Sequence, residues 1–260
     1  MIKRYITLSA FILLNVAANQ AQTSKLVKQM ADADSARLVG IFKDIHQNPE
    51  LAFQETRTAG IVAKEFKTLG YEIITGMGIT GVAGILRNGE GPVVMYRSEM
   101  DCNAVKEITS LPYASTKTRD VLLDGIKRIN AGIAIANNLP KELFPTIKMK
   151  GFVYPLENNS EMVTKINISL AELIDKSNII SNKPSSMGSE DFHHLVFGNK
   201  RTVYDYMRIG IANGEVFSKA VKEGKTYPFY NHNGNYEVDL SAIPLGTKIG
   251  AIAVLDMFRK

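Results

Sequence analysis

Apolar residues recur at helical spacing across residues 35–46, where Leu38, Ile41, Phe42 and Ile45 share one face and Asn48-Pro49 supplies the stop. A second amphipathic stretch follows at once. Ala59, Val62, Phe66 and Leu69 form its apolar stripe, Glu55 sits near the positive end of the helix dipole, and Gly70 is placed to cap the C-terminus in the left-handed conformation. The period then shortens to that of strands. Residues 71–75, 81–87 and 92–97 are short β-rich runs, and Asn88-Gly89-Glu90-Gly91 predicts a hairpin between the last two. Leu122, Ile126, Ile129, Ile133 and Ala136 predict a helix over residues 118–138, ended by Asn137-Asn138 and Pro140, and residues 147–154 read as a strand. One helix and one strand cannot bury a core alone, so this piece is expected to dock on another element or on a partner chain. A helix over 160–174, a polar loop over 178–189 and a strand over 203–211 follow. The closing helix, 241–258, is apolar on most sides through Ile243, Leu245, Ile249, Ile252, Val254 and Leu255, and is expected against a sheet. The fold class is α/β, with a mixed sheet flanked by helices.

Composition narrows the partners. The chain has 260 residues, 45% hydrophobic and 22% charged, which suits one large or two small globular domains. Its net charge is +5, but the 31 lysines and arginines are dispersed, and no nucleic-acid recognition module accompanies them, so no nucleic-acid partner is expected. Met1-Ile2-Lys3-Arg4 is a short basic region, residues 5–18 are nearly continuous apolar, and small residues follow, the layout of a signal peptide. Cleavage fits after Ala18 or after Ala21, and the alternative is an uncleaved anchor. The run is shorter than the roughly 20 residues a bilayer span needs, so removal, a periplasmic or secreted location and no stable membrane insertion are expected. Cys102 is the only cysteine, which excludes an intrachain disulfide and a zinc finger.

Four stretches, taken in order, carry a family resemblance. They are His46-Gln47-Asn48-Pro49-Glu50-Leu51 with Glu55-Thr56; Thr80-Gly81-Val82; Arg97-Ser98-Glu99-Met100-Asp101; and Met187-Gly188-Ser189-Glu190-Asp191-Phe192, the last followed by His232-Asn233-Gly234-Asn235-Tyr236 and Ile243-Pro244-Leu245-Gly246. Together they resemble the metal-dependent amidohydrolase and metallopeptidase family that includes hippurate hydrolase, bacterial carboxypeptidases and hydrolases of indoleacetyl-amino acids. The resemblance implies a catalytic α/β domain interrupted by a small ferredoxin-like lid. Residues 1–21 are then a signal peptide, 23–117 the first part of the catalytic-type domain, 118–155 a lid or dimerisation remnant, a helix plus a strand, and 156–260 the second part. A homo-oligomer is among the expectations.

The same resemblance implies hydrolysis of amide bonds in N-acyl amino acids or small peptides, with a divalent metal (zinc, manganese or cobalt) polarising the carbonyl and activating water. In the family most ligands come from a His-Ala-Cys-Gly-His-Asp motif, a Glu-Glu pair that includes the general base, and a His before the lid. None occurs in this sequence, which passes from Leu111-Pro112-Tyr113-Ala114-Ser115-Thr116-Lys117 straight into the helix beginning at Thr118. An internal deletion is therefore expected between Lys117 and Thr118. His232 matches the family's last metal ligand, and Asp101, Glu190 and Asp191 match the rim of its active site. Read without the family, His232 is a solvated loop histidine and Asp101 either caps a turn or lies where α/β sheets place ligands. His193-His194 reads as a solvated helix start whose side chains point apart, with Glu190 and Asp191 favoured there by the dipole. His46 reads as helix-ending structure. The two functional expectations are an amidohydrolase and a non-catalytic relative that binds or interacts, or is the product of a broken gene.

Overall fold

The structure is a computed structural model that describes residues 2–103, 105–115, 130–146, 156–181, 190–199 and 201–258, with side chains from Gln22 onward. The helix α1 (Ile2–Gln47) extends the segment expected over 35–46 back through the N-terminal region. It ends as expected: the Asn48 N–H donates to the Ile45 carbonyl at 3.1 Å, its side-chain amide donates to the Asp44 carbonyl at 2.9 Å, and Pro49 cannot continue the ladder. Helix α2 (Thr56–Thr68) closes in a Schellman motif, with Gly70 at φ +78°, its N–H on the Lys67 carbonyl and the Tyr71 N–H on the Phe66 carbonyl. The rings of Phe66 and Tyr71 stack at 5.1 Å, which supplies the apolar contact of that motif.

Strands β1 (Glu72–Met77) and β2 (Gly81–Ile85) form a two-stranded antiparallel sheet, with Thr75 opposite Val82 and a bulge between Thr75 and Met77. Phe66 presses α2 onto this hairpin so closely that a Cβ on Gly84 would lie 2.8 Å from its ring. Helices with a small sheet agree with the α/β class, and the sheet among the described residues is antiparallel, where a mixed one was expected. The expected third strand, 92–97, has no ladder among the described residues, and 88–91 is a bend rather than a hairpin turn. A β-prone run becomes a strand only where a neighbour takes its hydrogen bonds. Here Val93 is 98% exposed and Tyr96 is drawn to the closing helix instead, its ring over Gly250.

Past this point helices dominate. Helix α3 is described over residues 130–136 and ends as expected at Asn138 in the left-handed region and Pro140, followed by a 3-10 turn, Lys141–Leu143. The remainder of the expected lid helix, residues 118–129 apart from its end, and the strand over 147–154 lie outside the described residues. Helix α4 (Ser160–Leu170) starts with the Asn159 side chain accepting from the Met162 N–H at 2.9 Å. It is four residues shorter than expected, and Leu173 reaches the core from the turn that follows. Then come α5 (His193–Val196), α6 (Gly214–Lys222), capped by Asn213, and α7 (Ala242–Met257), with Pro244 in its first turn where the missing N–H costs nothing. The expected strand over 203–211 is irregular backbone. Its hydrogen bonds go to neighbours that are not strands: the Tyr204 carbonyl accepts from the Asn159 N–H, and the Tyr206 N–H donates to the Asn158 side chain.

The core joins α4 and α7 through Ile166, Leu170, Ile249, Ile252 and Ala253, with Val27 of α1 and Met207 and Ile209 packed against it. Among the described residues, helix α7 packs between α1 and α4, and the two-stranded sheet is covered by α2. Polar ties fix α1 there: Ser24 and Lys28 donate to Glu172 at 3.1 and 2.9 Å, and Lys248 pairs with Asp32. No helix among the described residues is long and apolar enough to cross a membrane.

Candidate functional site

The stretches that are scattered along the sequence meet in space. The Cys102 N–H donates to the Glu50 carbonyl at 2.8 Å, and the Ile108 N–H donates to the Gly234 carbonyl at 2.8 Å. Between them opens a cleft of about 910 Å³ whose polar lining includes His46, Glu50, Asp101, Glu107 and His232. The close crossing at Gly234 demands glycine, since a Cβ there would lie 2.3 Å from the Lys106 carbonyl oxygen. His232, two residues before Gly234 and also in the cleft lining, has φ +67°, a left-handed conformation.

Glu50 and Glu55 serve the entry to α2. The Glu50 carboxylate accepts from the backbone N–H groups of Arg57 at 3.0 Å and Thr58 at 2.7 Å and from the Thr58 hydroxyl at 2.8 Å, so it satisfies donors that the first helical turn leaves open. Glu55 is buried and accepts from the Thr80 hydroxyl at 2.6 Å, which ties the helix start to the β1–β2 turn. Burial opposes ionisation of Glu55, but the Thr80 hydroxyl and local backbone N–H groups outweigh it and hold the carboxyl below its ordinary range.

His46 is bound to Glu107, with Nε2 3.0 Å from both carboxylate oxygens. Tyr113 meets the imidazole edge-on at 5.4 Å, and the Ser115 N–H donates to Glu107 at 2.7 Å, joined by the Thr109 hydroxyl. Burial raises the Glu107 pKa, and the bonds from Thr109, His46 and Ser115 pull it back past its ordinary value. His46 therefore ends α1 and also lines the cleft. Nothing in the sequence spacing marks Glu107 as its partner, 61 residues away.

Glu190 and Asp191 gather around Arg97. The guanidinium lies 3.2 Å from Glu190, 2.8 Å from Asp191 and 2.8 Å from Glu99. Glu190 also accepts from the Phe192 N–H at 3.0 Å and the Tyr206 hydroxyl at 2.8 Å. Burial works against its charge, but these donors and Arg97 win and lower its pKa, while burial and the facing carboxylate push the Tyr206 phenol up. The expected solvated helix start at His193-His194 is corrected here: His193 is buried, its Nδ1 sits 2.9 Å from the Glu190 carbonyl, and its ring lies 3.9 Å from that of His194.

The structure thus places Asp101 and His232 on one cleft, and Glu190 and Asp191 in the Arg97 cluster, joined to the cleft through Glu99. Met187-Gly188-Ser189 lies outside the described residues.

Segments of the chain match proteins of known kind. It is 45% identical over 74 residues to a hippurate hydrolase of Campylobacter jejuni, covering 28% of this chain and 19% of that protein. It is 35% identical over 78 residues to IAA-amino acid hydrolase ILR1-like 4 of Arabidopsis thaliana, covering 30% and 18%. It is 36% identical over 103 residues to the N-acetyl-L-cysteine deacetylase of Bacillus subtilis, covering 39% and 23%. The matches span about a fifth of the length of these relatives, at 19%, 18% and 23%. No family model matches the chain, and no solved structure matches it. The fold and cleft are those of an α/β chain with a histidine- and carboxylate-lined site. Over the matched segments the chain is similar to members of the amidohydrolase and peptidase family.

That family implies a divalent metal. Among the described residues the group with ligand geometry is Glu99, Glu190 and Asp191, whose oxygens lie within 4.8 Å of one another. The fit is poor. Arg97 already supplies a cation to all three, and both oxygens of Glu190 are engaged by protein donors. His232 and Asp101 face the cleft without joining such a group among the described residues.

Proposed function

We propose that the chain is a non-hydrolysing relative of the amidohydrolases that binds N-acyl amino acids or small peptides in the cleft bounded by Asp101 and His232. The carrying observation is the chemistry of that cleft. It is assembled from the family's stretches, yet one of its imidazoles is committed to Glu107 and its neighbouring acidic cluster to Arg97. A catalytic zinc needs about three converging protein ligands and an open position, and His232 is one. The sequence supports the same reading, since the ligand-bearing motif and the Glu-Glu pair are missing between Lys117 and Thr118. The volume of about 910 Å³ suits a small molecule. The layout of residues 1–21 supports export to the periplasm or beyond.

Two measurements test this. Titration with N-benzoylglycine by calorimetry should give saturable binding weakened at least about tenfold by Asp101→Ala, the loss of a contact of roughly 1.4 kcal/mol. Elemental analysis of the purified protein should find no stoichiometric zinc, manganese or cobalt. Stoichiometric metal that disappears in His232→Ala would favour the hydrolytic alternative, and absence of any saturable binding would remove the cleft from the account.

A further inference from the structure

We infer that Arg97 is a built-in counter-cation that replaces a divalent ion among Glu99, Glu190 and Asp191, and that it cross-links two distant parts of the chain. The inference stands apart from what the cleft binds. Three carboxylates whose oxygens converge within 4.8 Å repel one another unless positive charge sits between them. Two solutions exist: a metal ion or a protein cation. Here the guanidinium fork fills the position, with Nη1 toward Glu190 and Nη2 shared by Glu99 and Asp191. Arg97 and Glu190 are about three-quarters buried, at 25% and 23% exposure, so solvent screens their pairing less than that of an ordinary surface pair.

Glu190 decides the matter. Its Oε1 accepts from Arg97 and from the Phe192 N–H, and its Oε2 accepts from the Tyr206 hydroxyl. An ion arriving at the cluster would have to displace the guanidinium and compete for oxygens that are already bonded. The cluster also spans 94 positions of sequence, from Arg97 to Asp191. Removing the guanidinium leaves three carboxylates facing one another, and that is the arrangement a hard divalent cation takes.

Manganese alone is a suitable probe, with binding followed by loss of its free-ion EPR signal and by thermal melting of the full chain. The native protein and Glu190→Gln should take up the same amount of Mn²⁺. Arg97→Met should melt lower than the native protein without metal, gain a Mn²⁺ site that Glu190→Gln abolishes, and recover on the order of a few degrees in Tm at saturating ion. Arg97→Lys keeps a cation in place and should remain insensitive to Mn²⁺, which provides the readout if Arg97→Met fails to fold. A Glu190-dependent Mn²⁺ site in the native protein would overturn the inference. So would a folded Arg97→Met variant that binds no more Mn²⁺ than the native chain, or an Arg97→Lys variant that acquires a site.

Discussion

At the scale of single residues, the chain relies on carboxylates whose charge the fold protects. Glu55, Glu107 and Glu190 all have pKa values lowered by hydrogen bonding that outweighs their burial. A carboxyl with a depressed folded pKa contributes stability that is fully present above its unfolded value, roughly 4.3 for Glu, and is lost as pH falls through the folded value. Stability measured by urea unfolding should therefore be level above about pH 5.5 and decline below the ordinary Glu range, with Glu55→Gln flattening part of that slope. A slope that Glu55→Gln leaves unchanged would mean the Thr80 bond carries no linkage. Gly234 supports a second expectation: with the Lys106 carbonyl 2.3 Å from any Cβ, Gly234→Ala should cost more than about 2 kcal/mol in the same experiment. The sequence marks Asp101, His232, Glu190 and Asp191 through family resemblance and places Arg97 in one of the resembling stretches, but it does not show that Arg97 pairs with Glu190 and Asp191. Glu107 and Tyr206 were illegible because a partner 61 or 16 positions away is chosen by tertiary packing and leaves no trace in local spacing.

At the scale of elements, caps and helix stops are legible in the sequence, while the hairpin signal at Asn88-Gly89-Glu90-Gly91 is not realised among the described residues. The Gly70 cap, the Asn48-Pro49 stop and the bounds of α7 follow from backbone conformation and periodicity within a few residues. Strands were read less well, because a strand is defined by its neighbour. Residues 92–97 and 203–211 have the composition of strands, and both find side-chain or helical partners in place of a ladder. Helix α6 was missed, being only nine residues long and started by the Asn213 cap. Glu50 shows how a motif residue serves an element: its carboxylate supplies what the first turn of α2 lacks, so Glu50→Ala should destabilise by about 1 kcal/mol and lower helicity by circular dichroism. In the core, Ile252→Ala should cost about 2–4 kcal/mol, since its side chain joins α4 to α7 at 3% exposure.

At the scale of the whole molecule, accessible surface is the telling quantity. Among the described residues, exposed apolar surface is extensive. Large apolar side chains contribute, among them Val93 at 98%, Ile180 at 76% and Ile79 at 71%. Such surface favours self-association. Sedimentation velocity across a range of concentrations should show species larger than a monomer, and a dye that reports apolar surface should bind the native protein. A single concentration-independent monomer would argue that the surface is covered by other means. The family resemblance was legible because it rests on short ordered motifs, and the runs over 71–75 and 81–87 are the strands β1 and β2, while those over 92–97 and 203–211 find no ladder among the described residues.

If the cleft binds N-acyl amino acids without a working metal centre, as proposed, it should not hydrolyse them. Release of free glycine from N-benzoylglycine, assayed with the purified chain in the presence of zinc, manganese or cobalt, tests it most directly. No release above the protein-free blank is expected with any of the three ions. Metal-dependent release that is abolished by a chelator and by His232→Ala would contradict it.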